Sequence, residues 1–329
     1  MYPHPNRRAV LAWASAGCLP QTVGAQAVAS TVEADSVVSL VVDGMLRRAL
    51  IYAPARPTAL PMPLVVVLHG GGGNAKSMAN ATGWARKGAA ENFISVFPQG
   101  LARDPSRPAR FRGNPPVWND GSGRFYGERT GPSDVHFLAS LLDEMNSRYA
   151  VDTRRVFFTG FSNGASMVFR IGAELPGRVA AIAPLAGALW EAPQRLDPPV
   201  ALLAMSGTED PLNPIEGGMP RLSREAGHGA GLIVGGRAKP PLRLTMAHWS
   251  RAVGGTGEMI SRIASGGVVS EQWSPGSGRT QVVLMLIEGH GHHWPGGEAE
   301  LPDAMVGPRS DRFDATDAIW RFFSTHSLR

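Results

Sequence analysis

The sequence feature that most constrains this chain is the pentapeptide Gly-Phe-Ser-Asn-Gly at residues 160–164. It follows the apolar, β-type run Val156–Thr159 and opens a helical pattern, Ala165–Leu175. A strand, a Gly-x-Ser-x-Gly turn and a helix in this order hold the central serine on a sharp, strained turn at the carboxyl end of a sheet. Such strain costs about 1–3 kcal/mol and persists where the surrounding fold enforces it. The flanking glycines let neighbouring backbone approach closely, so Ser162 is predicted to be an exposed nucleophile.

Strand-like and helix-like patterns alternate along most of the chain. Two β-type runs joined by Asp43-Gly44 predict a hairpin near the start, and the later apolar runs are typical of buried parallel strands. The alternation predicts an α/β fold, a mostly parallel central sheet with helices on both faces. The predicted strands are Ser36–Val42, Leu46–Tyr52, Leu64–Leu68, Phe93–Phe97, Val156–Thr159, Val179–Leu185, Val200–Ser206 and Gln281–Ile287, and the predicted helices are Met78–Ala90, Asp134–Tyr149, Ala165–Leu175 and Asp314–Ser324.

The first 27 residues have the order of a secretory signal. Two adjacent arginines at positions 7 and 8 precede the apolar run Ala9–Leu19, and the small-residue site Ala-Gln-Ala follows at 25–27. The paired arginines also permit a twin-arginine export route, and the apolar run is too short to span a bilayer. The pattern predicts a signal peptide over residues 1–27, a single catalytic domain over residues 36–329, and a secreted or periplasmic protein. The alternative is a disordered N-terminal tail.

The only cysteine of the chain, Cys18, lies inside this predicted signal. Residues 15–18 (Ser-Ala-Gly-Cys) resemble a lipoprotein box, but Ser15 is a poor first residue, so lipidation is the less favoured alternative. Cleavage near Ala27 leaves no cysteine, and the mature chain is then expected to have no disulfide even though its destination permits them.

Charge and composition argue against some classes of partner. The formal net charge is +5, but the basic residues are scattered and no basic run alternates with aromatic residues, so we expect no nucleic-acid binding. Two long segments, Leu101–Pro132 and Asn213–Pro241, interrupt the alternation and are rich in glycine. Loops of this length are often functional, and in an open α/β sheet ligands bind beyond the carboxyl ends of the strands. These loops are predicted to form the rim of a pocket, the alternative being surface excursions without a substrate role.

A serine hydroxyl needs a neighbouring base, which in turn needs an orienting acid. After a Gly-x-Ser-x-Gly turn the partners follow in the order serine, acid, histidine. Asp210, just after the strand ending at Ser206, is the preferred acid over its neighbour Glu209. The last predicted strand leads into a segment with three histidines at positions 290, 292 and 293, and spacing alone does not choose among them.

The chemistry also needs donors for an oxyanion. One is the backbone amide of Asn163, the residue after the nucleophile, and the other comes from the loop after an early strand. Here Leu68 is followed by His69 and four glycines, which let backbone amides reach a developing oxyanion. Each such donor is worth about 3–4 kcal/mol in the transition state. The run lacks the Gly-Lys-Ser/Thr ending of a phosphate-binding loop, so nucleotide binding is not expected.

Taken together in their order, these motifs resemble those of the secreted poly(3-hydroxybutyrate) depolymerase and feruloyl/acetylxylan esterase group of α/β-hydrolases. The resemblance covers the chain from about Val37 to its end and implies the α/β-hydrolase fold. The motifs that carry it are Leu68–Gly73, Trp118–Gly121, Asp134–Val135 with Phe137–Leu138, Tyr149–Gly164, Ala180–Pro184, Gly207–Pro211, Gly291–Gly297 and the final helix.

The resemblance assigns roles residue by residue. Ser162 falls on the nucleophile and Asp210 on the acid. The family's loop is usually Gly-Gly-Gly-His-Thr-Trp-Pro-Gly, and its alignment with residues 289–296 places His292 on the catalytic histidine, His290 on a glycine and His293 on the threonine. His69 and Gly71 fall where the family places its oxyanion segment, so the Gly71 amide is the expected second donor beside that of Asn163.

Three further residues are predicted to bind substrate: Trp118, Trp294 and His69. Trp294 is only two residues from His292, and large aromatic side chains suit apolar or aromatic esters. For Trp118 the alternative is that it packs its loop against the core.

The chain also departs from the family pattern. Many relatives have a cysteine where this chain has Gly71, and many use disulfides. Extracellular polymer depolymerases usually carry an added linker and binding domain, whereas this chain ends on the hydrolase's own last helix. This favours soluble esters, oligomers or amorphous material over crystalline polyester.

The expected function is that of a secreted serine carboxylic-ester hydrolase, acting as a monomer on hydroxyalkanoate oligomers or on feruloyl or other aromatic esters. A serine peptidase of the same fold and a non-catalytic binding relative are the alternatives. Three close histidines could also hold zinc with an open position. A neighbouring serine and acid explain His292 without a metal, so neither metal nor cofactor is expected.

Overall fold

A computed structural model describes residues 34–54, 60–102, 104–111, 113–123, 133–219, 237–276, 280–298 and 301–328. All of them lie in one compact unit, Val32–Arg329. The predicted signal peptide lies outside the described residues, so it stays a prediction, as does the single-domain assignment that depends on its boundary.

The described residues form a ten-stranded sheet with the strand order β1-β2-β4-β3-β7-β8-β9-β12-β11-β10. The six central strands are parallel: β4, β3, β7, β8, β9 and β12. Two further strands continue the sheet on each side by antiparallel pairing. A two-stranded ribbon, β5 with β6, stands apart. The strands are β1 Ser36–Val42, β2 Met45–Tyr52, β3 Met62–Leu68, β4 Ile94–Pro98, β5 Leu101–Ala102, β6 Pro116–Val117, β7 Val151–Phe161, β8 Ala181–Leu185, β9 Ala201–Gly207, β10 Met259–Ser265, β11 Val268–Trp273 and β12 Val282–Ile287.

Helices cover both faces of this sheet, as predicted. One apolar core lies under α3, α4 and α5, and a second lies under α1, α2 and α7. The central strands β3, β4, β8 and β9 are buried along their whole length, which explains why they appear as continuous apolar runs. The α/β prediction is therefore confirmed. The helices are α1 Ala75–Thr82, α2 Trp84–Glu91, α3 Asp134–Arg148, α4 Asn163–Glu174, α5 Leu242–Ala252, α6 Asp303–Val306 and α7 Ala315–Phe323.

Local sequence signals set several of these boundaries. The Asp43-Gly44 turn joins β1 to β2 with φ of 49° and 73°, as a two-residue hairpin turn requires. Ser133 caps α3 by accepting a hydrogen bond from the amide of His136. Gly83 divides the predicted helix Met78–Ala90 into α1 and α2, because its φ of 71° is left-handed and ends the first helix.

Three elements between Pro241 and Gln281 are not predicted by the patterns above: α5, β10 and β11. The helix α5 begins after Pro241 without a side-chain cap. Strand β10 lies at the edge of the sheet and is exposed along nearly all of its length, so it lacks the apolar alternation that marks a half-buried strand. Within the described residues, none of the helices has the length and apolar character needed to cross a membrane.

Candidate active site

The turn between β7 and α4 holds Ser162 in the strained conformation that the sequence predicts. Its φ is 56° and its ψ is −118°, a region that non-glycine residues seldom adopt. The Ser162 amide donates to the carbonyl of Leu185 at 2.9 Å, and its carbonyl accepts from the Ser166 amide at 3.0 Å. A methyl group at Gly164 would lie 2.4 Å from the carbonyl oxygen of His69. The close packing of β3 against this turn therefore requires a glycine there.

Asp210 lies in the loop after β9, where its carboxylate is well fixed. The side chain is fully buried, and one oxygen accepts from the amides of Leu212 and Asn213, both at 2.8 Å. Burial raises the pKa of this carboxyl, but the charge and hydrogen bond of His292, the charge of Lys239 and the Asn213 amide together hold it below its usual range. Asp210 is therefore ionised at neutral pH. Its rival Glu209 is exposed.

His292 connects the acid to the nucleophile. Its Nδ1 lies 2.6 Å from the second carboxylate oxygen of Asp210, and its Nε2 lies 2.9 Å from Oγ of Ser162. Because an ionised carboxylate only accepts, Nδ1 carries the proton and Nε2 is free to accept from the serine hydroxyl. The three predicted side chains thus form one continuous hydrogen-bonded chain, which can remove the hydroxyl proton of Ser162.

The other two histidines have different partners. His290 is buried; its Nδ1 accepts from the amide of Ser310 at 2.9 Å, and its Nε2 lies 3.2 Å from the carbonyl of His293. His293 directs Nε2 to the carbonyl of Gly307 at 3.0 Å. No group of histidine, cysteine and carboxylate side chains suited to holding a metal ion occurs among the residues that the structure describes.

The glycine loop, residues 69–74, lies beside the nucleophile. A methyl group at Gly70 would be 3.3 Å from Cβ of Ser162. The amide of Gly72 donates to the carbonyl of Pro116 and that of Gly73 to the carbonyl of Gly70. Within the described residues, the amides of Gly71 and Asn163 donate to no backbone carbonyl of a loop or turn. Their role as oxyanion donors stays a prediction.

The structure corrects the prediction that His69 binds substrate. The ring is 1% exposed, and its Nε2 accepts from the amide of Gly100 at 2.9 Å. Nδ1 therefore carries the proton and donates to the carbonyl of Gly70 at 2.8 Å. Burial, with a smaller contribution from the charge of Arg47, lowers the pKa of His69 to about 4 against the opposing effect of the Gly70 bond. His69 is thus a neutral residue beneath the glycine loop.

The structure gives different outcomes for the two predicted tryptophans. Trp118 has no exposed surface and belongs to the core under α3 and α4, so its ring cannot touch a substrate in this structure. Trp294 is 6% exposed, and its Nε1 donates to Oγ1 of Thr316 on α7 at 3.0 Å. Because the proposed base His292 is itself only 5% exposed, this burial does not test contact with a substrate, and the role of Trp294 stays a prediction.

Two residues at the site have no sequence signal that distinguishes them. The ring of Phe161 lies against that of His292, with 4.6 Å between centroids. Lys239 is buried behind the acid and its Nζ donates to Oδ1 of Asn213. Lys239 comes from the long glycine-rich segment, where a single lysine could not be linked to Asp210 before the fold was known.

A cleft of about 790 Å³ runs past Asp210. The loop after β9 forms one wall, including Glu209, Pro214 and Ile215, and α6 with the residues after it forms the other. Neither Ser162 nor His292 lines this cleft, so the rim role of the two long segments stays a prediction. Residues 124–132 and 220–236 lie outside the described part of the chain.

Comparison with known proteins identifies the family of this chain. Residues 49–219 match the model of a family described as phospholipase/carboxylesterase. NocK of Nocardia uniformis subsp. tsuyamanensis, a predicted esterase, is 29% identical over 301 residues, which cover 86% of this chain and 80% of NocK. Poly(3-hydroxyalkanoate) depolymerase C of Paucimonas lemoignei is 31% identical over 134 residues, but these cover only 40% of this chain and 30% of the depolymerase.

A solved structure of the acetyl xylan esterase from Aspergillus awamori has a TM-score of 0.55 at 14% identity, covering 88% of this chain and 99% of that one. At this identity the likeness concerns the fold. The α/β-hydrolase fold and the family resemblance predicted from the motifs are both confirmed.

Proposed function

The chain belongs to the phospholipase/carboxylesterase family and is a carboxylic ester hydrolase, and from that premise we propose that it is a secreted serine esterase with Ser162, His292 and Asp210 as its catalytic triad. The observation that carries the proposal is the unbroken hydrogen-bonded chain from Oγ of Ser162 through His292 to Asp210. Its nucleophile stands on a strained strand-to-helix turn. Secretion is supported by the signal-like order of the first 27 residues.

In this mechanism Oγ of Ser162 attacks the ester carbonyl carbon while Nε2 of His292 takes the hydroxyl proton. Asp210 keeps the imidazole in the correct tautomer and stabilises the imidazolium. The amides of Gly71 and Asn163 bind the oxyanion of the tetrahedral intermediate. The intermediate collapses to an acyl-enzyme as the proton on Nε2 passes to the leaving alcohol. A water molecule, deprotonated by His292, then attacks the acyl carbon, and the acid is released as Ser162 regains its proton.

The substrate class is proposed from the relatives, which are named for acetylxylan, feruloyl and poly(3-hydroxyalkanoate) esters. We expect a soluble or oligomeric ester of one of these kinds. The complete burial of Trp118 removes that residue from the predicted aromatic pocket wall, and the contribution of Trp294 alone does not identify an acyl group. The chain therefore offers no preference of its own between feruloyl and aliphatic acyl groups.

The proposal is tested with purified protein and a panel of esters: p-nitrophenyl butyrate, a 3-hydroxybutyrate trimer, methyl ferulate and acetylated xylan. We expect hydrolysis of at least one, labelling of Ser162 by a fluorophosphonate, and a fall in kcat of about 10⁵-fold or more in Ser162→Ala with folding nearly unchanged. Esterase activity in Ser162→Ala at a tenth of the wild-type rate would rule out the triad.

Two further measurements separate the alternatives. A peptidase would cleave an amide while its matching ester is cleaved slowly, and a non-catalytic relative would not take the fluorophosphonate label. Treatment with a chelator should leave the rate unchanged, because both ring nitrogens of His292 already have partners in the triad. A loss of activity that zinc restores would support a metal centre instead.

A further inference from the structure

Trp118 contacts both segments that supply the expected oxyanion donors. Its main chain faces Asn163: the Trp118 amide donates to Oδ1 of Asn163 at 2.8 Å, and the Trp118 carbonyl accepts from Nδ2 at 3.0 Å. Its indole Nε1 donates to the carbonyl of His69 at 2.9 Å. One fully buried residue thus connects the start of α4 to the start of the glycine loop.

The bonds to Asn163 fix the first residue of α4. Its side chain is 3% exposed, and Nδ2 makes a further bond to the carboxylate of Asp120 at 3.0 Å. The carboxamide is therefore held on one side by the two-way pairing with Trp118 and by Asp120. Because the side chain is fixed, the backbone amide of the same residue is held in one direction beside Ser162.

Through its bond to His69, Trp118 also influences the other expected donor, the amide of Gly71. The ring of Trp118 also packs on that of His69, with 5.0 Å between centroids, and His69 donates through Nδ1 to the carbonyl of Gly70. The Gly70 carbonyl and the Gly71 amide belong to one planar peptide unit and point in opposite directions. Two donors, Nδ1 of His69 and the amide of Gly73, fix that carbonyl, so the orientation of the Gly71 amide is fixed with it.

The segment that contains Trp118 is itself well anchored. The amide of Asn119 donates to the carboxylate of Asp134 at 2.7 Å, and that carboxylate pairs with the buried guanidinium of Arg47 at 2.6 Å. A buried, paired carboxylate is a rigid attachment point, since breaking the pair leaves a charge without compensation. Trp118 is therefore held by the core and by the anchored residue beside it.

From these contacts we propose that Trp118 is a positioning residue of the oxyanion hole, which sets the separation of the Gly71 and Asn163 amides without touching the substrate. The inference rests on the proposed serine esterase function. It replaces the predicted role of Trp118 in the substrate pocket, and it gives one reason for the Trp-Asn-Asp sequence at residues 118–120. Oxyanion donors act on charge that develops in the transition state, so a misplaced donor lowers kcat more than it changes KM.

The test compares Trp118→Phe with Trp249→Phe. Both indoles are fully buried, and each donates Nε1 to a backbone carbonyl at 2.9 Å, that of His69 for Trp118 and that of Val200 for Trp249. The two substitutions therefore remove the same kind of bond. The Trp249 bond lies in the core under α5. The Trp249 ring also contacts Phe169 within α4, but its Nε1 bond goes to Val200 and so to neither the first residue of α4 nor the glycine loop.

For each variant we would measure kcat and KM with p-nitrophenyl butyrate, the inhibition constant of butylboronic acid, and Tm. Butylboronic acid forms an anionic tetrahedral adduct with the serine and so reports on the oxyanion hole. We expect both variants to lose a similar amount of Tm. In Trp118→Phe alone, kcat should fall and boronate inhibition should weaken by about tenfold or more, while KM stays within about twofold.

Other outcomes would overturn the proposal. If Trp118→Phe keeps wild-type kcat and boronate affinity, the residue is structural only, and if KM rises while kcat holds, it is part of the substrate pocket. Asn163→Ala serves as a second variant if Trp118→Phe does not fold, since it keeps the backbone amide but removes the side chain that Trp118 holds. Unchanged kcat and boronate affinity in Asn163→Ala would equally overturn it.

Failure of the inference and failure of the proposed function are distinguishable. A wild-type protein that is not labelled by fluorophosphonate contradicts the serine esterase mechanism itself. A wild-type protein that is labelled at Ser162, with a Trp118→Phe variant of normal kcat, contradicts only the positioning role.

Discussion

At the scale of single residues, the three histidines at 290, 292 and 293 show how ring-nitrogen partners determine the chemistry. Each is buried, yet only His292 faces both a carboxylate and a hydroxyl. His290 accepts from a backbone amide at Nδ1 and therefore donates from Nε2 to a carbonyl, so it is neutral and has no nitrogen left for proton transfer. Burial holds the pKa of His290 below its ordinary value, which agrees with this assignment.

We therefore expect His292→Ala and His290→Ala to fail in different ways. His292→Ala should lower kcat by about 10⁴-fold or more, because the base is lost, with little change in Tm. His290→Ala should keep kcat within a few-fold and lose about 1–3 kcal/mol of unfolding free energy, because the Ser310 amide and the His293 carbonyl lose their partner. Steady-state kinetics and urea unfolding on both variants measure this. Normal stability with lost activity in His290→Ala would contradict the assignment.

His69 makes the folded protein sensitive to acid. Its pKa is lowered from 6.5 to about 4, chiefly by burial. Between these pH values the His69 ring is protonated in the unfolded chain and neutral in the folded protein. Stability is therefore fully present above pH 6.5 and is lost as the pH falls toward 4. The pKa difference corresponds to about 3 kcal/mol over this range.

Between pH 7 and pH 4, we expect the unfolding free energy of the wild type to fall by about 3 kcal/mol more than that of His69→Gln. Urea unfolding at a series of pH values measures the difference. His326→Gln is the control, because His326 is only partly buried and its pKa is also lowered by burial; its effect on the pH slope should be smaller. Parallel pH profiles for wild type and His69→Gln would show that His69 does not titrate in this way.

At the scale of elements, the loops after β9 and β12 meet backbone to backbone. Gly207 ends β9 and pairs in register with Ile287, the end of β12. A methyl group at Gly207 would lie 2.0 Å from the carbonyl oxygen of His290 and 2.7 Å from that of Gly291. The loop that carries Asp210 and the loop that carries His292 are thus set side by side by the absence of a side chain at one position.

Gly207→Ala should accordingly separate the acid from the base. Neither contact atom belongs to a flexible side chain, so the histidine loop must shift. We expect a loss of about 1–3 kcal/mol of unfolding free energy from overpacking and a fall in kcat of about 10²-fold from displacement near 1 Å. Gly177→Ala is the matched control, since nothing lies within 4 Å of a methyl group there, and it should be nearly neutral. A fully active Gly207→Ala would mean that the two loops are not coupled through this contact.

The elements that could be predicted from sequence are those whose own pattern determines their burial. Strands β3 and β9 are buried throughout, and the hairpin turn at Asp43-Gly44 has its own conformational signal. Strand β10 could not be found in this way, because its residues pair at an exposed edge and gain order from β11. The same distinction holds for α5, whose start has no capping side chain.

At the scale of the whole molecule, strand β7 connects the two cores and the nucleophile. Phe158 belongs to the core under α3 and α4, whereas Phe157 belongs to the opposite core. There Phe157 stacks on Phe323 of α7, with 4.7 Å between centroids and 8° between planes. The strand that ends at the nucleophile turn is therefore packed from both faces.

The parts of the site that could be predicted from the sequence are those whose position follows from the sheet topology. In a parallel sheet the loops after neighbouring strands converge at one edge, so Ser162 and Asp210 could be assigned from the strands that precede them. The base could be placed only within residues 290–293 in this way, and the family resemblance, not the spacing, selected His292. The directions of the His69, Trp118 and Trp294 side chains could not, because each is determined by a tertiary hydrogen bond, to Gly100, His69 and Thr316 respectively. No spacing rule in the chain encodes those partners.

The triad brings together parts of the chain that are far apart in sequence: Ser162 and His292 are 130 positions apart, and Asp210 and His292 are 82 apart. Closing loops of this length is entropically unfavourable until other contacts compensate for it, so such contacts form late during folding. The helices, whose contacts are local, can form long before the acid, base and nucleophile meet. Recovery of esterase activity after dilution from denaturant should therefore lag behind recovery of the helical circular dichroism signal. The time at which activity returns would then report the final step of chain assembly.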